Sequence, residues 1–220
     1  MTPFPRLRLL FGLSATVVPV PLVAQSVADS GVFIVRRAGD TVAVERFVRT
    51  DSSLTGTLDL RNPRRTSESY RAAVAPDATL PLIEVTVRED QDGGRVKGKI
   101  VQRTRVIFKD DSVAVDDMTK SGLETRIIPT GRGAVPYLNL SFALLEQAVR
   151  RSKAEGISEI PFFNLGGGQT AAARVASLGR DSLSLAIGAV EFHLRVDSSD
   201  RVLGGRIPAQ DVVVDRIGGS

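Results

Sequence analysis

Residues Tyr137 to Glu155, YLNLSFALLEQAVRRSKAE, form the one stretch with a clear helical period, and the rest of the chain alternates as strands do. Leu138, Phe142, Leu145 and Val149 step by four, three and four, and with Ala148 they make one apolar stripe along a helix axis. That spacing predicts a helix over about 138–155 whose stripe faces a core. Glu146, Gln147, Arg150, Arg151 and Lys153 fall on the other side and are expected to be solvated, with Glu146 four before Arg150 in the favourable order for a surface pair. Pro136 stands near the start and Asn139 or Ser141 can cap the first turn. Gly156 follows the last basic residues, where a left-handed residue ends many helices.

Outward from this stretch the period drops to two. VFIVRRA (32–38) and TVAVERFVRT (41–50) are joined by Gly39-Asp40 as a hairpin with a two-residue loop. SLTGTLDLR places Leu54, Gly56, Leu58 and Leu60 on one face and Thr55, Thr57, Asp59 and Arg61 on the other, which is the pattern of a strand with one wet side. Alternation continues through Tyr70–Val74, Ile83–Arg88, the strand after Gly94, the segment after Asp110-Asp111, and Leu123–Ile128. Beyond the helix come ISEIPFFNL, TAAARVASL, SLSLAI, AVEFHLRV, VLGGRI and DVVVDRI, separated by glycine and proline turns. About thirteen or fourteen strands against one helix predict a mainly β fold: an antiparallel meander forming a curved sheet or open barrel around the helix.

The first residues place Arg6 and Arg8 before the apolar run Leu9–Val18, then Pro19 and Pro21, then small residues around Ala24. This order is that of a secretory signal peptide, so residues 1–25 are expected to be a signal and 26–220 a single β-rich domain, periplasmic or secreted. The chain has no Cys, which excludes a lipid-bearing N-terminal cysteine, disulfides and thiol chemistry. Its formal charge of +4 falls to +2 on cleavage, because Arg6 and Arg8 leave and no acid does. Such a balance lacks the basic footprint of a nucleic-acid binder. No later apolar run approaches the roughly 20 residues that span a bilayer.

Few residues offer chemistry. His193 is the lone histidine and alternates with Val190, Phe192, Leu194 and Val196 so as to point outward beside Glu191 and Arg195. A serine triad or a zinc site would have to include it, and neither has further histidines to draw on. No catalytic residue, metal ligand or cofactor is therefore expected. Asp110, Asp111, Asp116 and Asp117 bracket one strand and read as turn acids before they read as calcium ligands. The glycines of Asn164–Thr170 lack the Lys-Ser/Thr of a phosphate-binding loop and precede a strand. Lys97, Lys99, Arg103 and Arg105 share one face by parity and form a basic stripe, suited to solubility or to an acidic partner.

Many antiparallel strands, one helix carrying NLSFALLEQAVRR, and a closing VDSSDRVLGGRIPAQDVVVDRI together resemble uncharacterised secreted bacterial β-rich proteins. More distantly they resemble the periplasmic lipoprotein-carrier superfamily. That second resemblance implies a half-barrel with an apolar cavity against its helix, so that an apolar small molecule or lipid would sit between sheet and helix on Phe142, Leu145 and Val149. The alternative is a structural or interaction module that offers a sheet edge or its basic face to another envelope protein.

Overall fold

The computed structural model describes residues 28–61, 65–89 and 98–219. The expected signal peptide and Lys97 lie outside the described residues. The described chain forms strands β1 (Asp29–Arg37), β2 (Asp40–Arg49), β3 (Ser53–Leu60), β4 (Thr66–Ala73), β5 (Leu82–Glu89), β6 (Lys99–Phe108), β7 (Ser112–Thr119), β8 (Gly122–Pro129) and β9 (Val135–Tyr137). The helix α1 (Phe142–Glu155) follows. After it come β10 (Glu159–Asn164), β11 (Thr170–Gly179), β12 (Ser182–Ile187), β13 (Val190–Val196), β14 (Val202–Ile207), a 3-10 turn at Pro208–Gln210, and β15 (Val212–Ile217).

All fifteen strands belong to one open sheet in the order β8-β7-β6-β5-β4-β3-β2-β1-β15-β14-β13-β12-β11-β10-β9. Two meanders thus run outward from the central β1–β15 pair; the loop 130–134 connects the edge strands β8 and β9, and the helix connects β9 to its neighbour β10. Every neighbouring pair is antiparallel except β9–β10. The mainly β architecture with a single helix agrees with the alternation of the sequence. The strand beyond the expected count is β9, three residues just before the helix; it pairs parallel to β10 through Val135↔Phe162 and Tyr137↔Asn164.

The first hairpin turns one residue earlier than expected, at Ala38–Gly39, where both residues take positive φ (49° and 89°). Two consecutive positive φ angles match the right-handed twist of the flanking strands.

The helix begins at Phe142, not near residue 138. Ser141 is its N-cap, with Leu140 at φ 64° before it, and Gly156 ends it at φ 64° in the left-handed conformation. The stripe packs as predicted: Phe142, Leu145, Ala148 and Val149 are at most 1% exposed. Phe142 meets Phe33 of β1 and Phe192 of β13 with ring centroids 5.8 and 6.2 Å apart, and Phe33 stacks on Phe47 of β2 at 5.4 Å. Each of these side chains contributes about 1.5–3 kcal/mol before ordering entropy is subtracted.

The expected solvated side of the helix does not exist. Glu146 and Gln147 are 0% and 1% exposed, Arg151 is buried, and Arg150 is half-buried, which leaves only Lys153 of the five in solvent. The polar face is enclosed because charged side chains on the inner face of the sheet meet it. The basic stripe is also interrupted. The β5–β6 register shifts between Val87 and Arg88, so Lys99 stands opposite Glu89 and Ile100 opposite Arg88, while Arg103 and Arg105 remain exposed.

Candidate functional site

Parity along β2 puts Ala43, Glu45, Phe47 and Arg49 on the inner face, so two ionisable groups enter a core of aromatic and aliphatic side chains. They meet the helix at different places and form two polar clusters.

The first cluster closes the helix N-terminus. Glu45 is fully buried. Its Oε1 accepts from the Ser141 hydroxyl at 2.5 Å and the Tyr70 hydroxyl at 2.6 Å, and its Oε2 accepts from the amides of Phe142 and Ala143 at 2.7 and 3.0 Å. A carboxylate here satisfies first-turn N–H groups that no helical carbonyl can reach, and it faces the positive end of the helix dipole. Tyr70 of β4 reaches it because the facing residue on β3 is Gly56. A Cβ at that position would run into the Tyr70 ring. Burial raises the pKa of Glu45 above the ordinary carboxyl value, opposed by its four hydrogen bonds, and burial beside Glu45 raises that of Tyr70 well above the usual phenol.

The second cluster lies further along the helix. Glu146 Oε1 accepts from Arg49 Nη1 and, at 3.2 Å, from Arg150 Nε, while its Oε2 accepts from Arg216 Nη1 at 3.1 Å and the Val202 amide at 2.8 Å. Arg49 also donates to the Ala143 carbonyl at 2.8 Å and the Gln147 side chain at 3.2 Å, and Arg216 Nη2 donates to Asp29 at 2.5 Å. Asp29 lies 3.5 Å from both Arg49 and Arg150. The Arg216 guanidinium sits 5.0 Å from the centre of the Phe47 ring, a cation–π distance. Burial pulls the Arg49 pKa below its ordinary value, against the pull of Glu146. This cluster ties β1, β2, the start of β14, and β15 to α1.

An open cleft of about 610 Å³ borders the second cluster, lined by Asp29, Arg49, Asp51, Gln147, Arg150, Lys153 and Asp200 among others. Its lining mixes both signs of charge, and Arg49 is already engaged by Glu146, Gln147 and Ala143. Neither Glu45 nor Glu146 reaches the surface, so neither can approach a substrate proton to the hydrogen-bond distance that acid–base catalysis requires.

Phe142, Leu145 and Val149, the expected ligand contacts, are brought together in the core and line neither this cleft nor the second, outer-face one. That outer cleft, about 490 Å³, is lined by His193, Arg195, Arg206, Val213 and Asp215. His193 points outward as its parity predicted, with Nε2 3.4 Å from Glu191 Oε1. Among the described residues no cluster of three or more His, Asp or Glu is close enough to hold a metal ion. Asp116 accepts from Thr125 at 2.8 Å. Burial pushes Asp117 up, but hydrogen bonds from Thr104, Arg126 and Gln102 outweigh it and leave its pKa below the usual carboxylate value. In the glycine loop, the Asn164 side chain accepts from the amides of Gly166 and Gly167 at 3.0 and 3.3 Å, so the chain itself occupies the donors a phosphate would need.

Sequence reasoning missed both clusters. The available signals were the charged residues at inward positions of apolar strands, Glu45 and Arg49 with Phe47, and Arg216 with Val212 and Val214, together with the isolated Gly56 inside a regular strand.

No family model matches the chain, and no curated protein matches it. Among solved structures, it is similar to a DUF1089 family protein from Pseudomonas aeruginosa, with a TM-score of 0.54 and 14% identity over 80% of this chain and 93% of that one. A beta-barrel-like protein of domain of unknown function DUF1849 from Brucella abortus aligns with a TM-score of 0.48 and 10% identity over 87% and 95% of the two chains. The likeness to the Pseudomonas aeruginosa protein is one of fold alone. No helix among the described residues is long and apolar enough to cross a membrane.

Proposed function

We propose that this protein is an exported, non-catalytic β-protein of the bacterial cell envelope that works as a structural or protein-interaction module. The filled interior carries this reading. The apolar stripe of α1 is packed against Phe33 and Phe192, and its polar face is held by Glu45, Arg49 and Arg216, so both sides of the helix are committed to the sheet. A cavity-based binding protein keeps a concave, largely preformed space for its ligand. Export rests on the order of Arg6 and Arg8, the apolar run, and the breakers Pro19 and Pro21.

The apolar-ligand reading, from the distant resemblance to lipoprotein carriers, uses Phe142, Leu145 and Val149 as contacts and requires the helix to withdraw from its sheet. Native mass spectrometry of the protein recovered from the periplasm or medium of a bacterial host separates the two. The module reading expects a mass beginning near Gln25 or Ser26 with nothing bound. A lipid-sized added mass would overturn it in favour of the ligand reading, and a soluble chain that retains Met1 would overturn export.

A further inference from the structure

The two edges of the sheet are built differently. At one edge β9 is three residues long, contains Pro136, and has Val135 and Pro136 buried. At the other, β8 runs for eight residues without a register shift, carries a proline only as its last residue, Pro129, and all but Ile128 are exposed. Short, proline-bearing or covered edges resist pairing with another chain, whereas long regular ones invite it.

The hydrogen-bond phase of β8 follows from its neighbour. Thr130 N donates to Asp111 O at 2.8 Å, one step beyond the Ser112↔Pro129 pair. Bonded pairs alternate along an antiparallel ladder. Gly122, Glu124, Arg126 and Ile128 therefore turn their amides toward β7, and Leu123, Thr125 and Ile127 turn theirs away. Among the described residues nothing pairs with that outward row. The same three side chains share the outer face with Met118, which stands opposite Leu123, and Met118, Leu123 and Ile127 are 49%, 63% and 77% exposed.

We propose that β8 is a homotypic docking edge that pairs antiparallel with β8 of a second copy, about a two-fold axis through Thr125. The strand is complementary to itself in that register. Thr125 meets the partner's Thr125, and Leu123 meets the partner's Ile127, each pair exchanging the amides and carbonyls left free by β7. Glu124 then faces the partner's Arg126 at the non-bonded positions, where side chains come closest. Moving the two-fold axis by one residue in either direction, which slides the register by two, sets Glu124 against the partner's Glu124 or Arg126 against the partner's Arg126, which repel. The paired outer face would continue the row of Met118 and Leu123 into the partner's Ile127, covering the apolar side chains β8 exposes. Such an interface is isologous and closes as a dimer. The inference rests on the interaction-module reading, for which it names the partner.

Sedimentation or light scattering of the purified chain should give twice the monomer mass, and hydrogen exchange should show Leu123, Thr125 and Ile127 amides slowed together as concentration rises. Thr125→Pro removes an N–H that faces the free edge and leaves the β7 ladder whole, so a folded monomer is expected by circular dichroism. Arg126→Glu opposes acid to acid and Glu124→Arg opposes base to base, so each alone should be monomeric. An equal mixture of these two should recover the dimer, because every crossed pair is then of opposite sign. A wild-type chain that stays monomeric overturns the proposal. So does a dimer that survives Thr125→Pro, or concentration-independent protection of the three amides, which would mean that the chain covers its own edge. Failure of export would leave these measurements unaffected, and a monomeric chain would leave the export result unaffected.

Discussion

Glu45 and Glu146 are both fully buried against the same helix, yet they are held by different physics. Glu45 faces neutral donors, two hydroxyls and two amides. Glu146 faces three guanidiniums and one amide. A carboxyl among neutral dipoles can take up a proton and remain in place. A carboxylate among arginines is what makes their burial tolerable, and its loss strands them. The comparison teaches that a buried acid is read by its donors, not by its burial.

The largest effect should therefore come from Glu146→Ala. Removing one partner of a buried ion pair costs about 3–5 kcal/mol, because Arg49 and Arg216 keep their charge without an acid between them. Urea denaturation gives the measurement. A cost under about 1 kcal/mol would mean that water reaches the cluster through the adjoining cleft, and the contrast with Glu45 would disappear.

Glu45→Gln keeps the shape and one acceptor but turns an amide group toward donors, and should cost about 1–3 kcal/mol. Its pH signature matters more. Because burial raises the pKa of Glu45 in the fold, the fold favours the protonated form. The resulting stability is fully present below the unfolded-state pKa and is lost as pH rises through the folded-state value. Stability of the parent should thus decline as pH climbs from the ordinary carboxyl range, and Glu45→Gln should flatten that decline. Glu68, whose pKa burial also raises, contributes in the same direction to both proteins, so the difference between their curves isolates Glu45. A cost of Glu45→Gln that shrinks with acidification instead would show that the hydrogen bonds outweigh desolvation. Ser141→Ala, which removes the helix cap and one donor to Glu45, should cost about 1 kcal/mol in the same assay.

How legible was this in the sequence? The alternation of SLTGTLDLR and the four-three-four spacing of the helix carry the sheet and its core, because burial on one face writes a period directly. The same rule failed on the helix's polar side. Glu146, Gln147 and Arg150 look solvated when solvent is taken as the only medium that accepts charge, and here the medium is Arg49 and Arg216, brought from sequence positions 97 and 70 residues away. Pairing across such separations leaves no local period. What it does leave is parity. A glutamate and an arginine beside Phe47 on the inward positions of β2 are costly unless partnered, so each implies an opposite charge elsewhere in the core. Val135–Tyr137 was illegible for another reason: three residues containing a proline are too few to show alternation, and β10 supplies their pairing.

The smallest expected effect tests whether enclosure, and not charge as such, separates these positions. Lys153 shares the helix with Glu146 and carries a full charge, but it is exposed and stands in the last turn, where a cation favours the helix dipole by a few tenths of a kcal/mol. Lys153→Ala should change stability by about 0.5 kcal/mol or less, and that remainder should shrink in added salt, which screens exposed charges far more than buried ones. Glu146→Ala in the same salt series should keep most of its cost, because its partners lie inside the sheet. If Lys153→Ala instead costs as much as Ser141→Ala and resists salt, the C-terminal end of the helix is held by contacts that its exposure does not suggest, and the division between an enclosed acid and a solvated base on this helix fails.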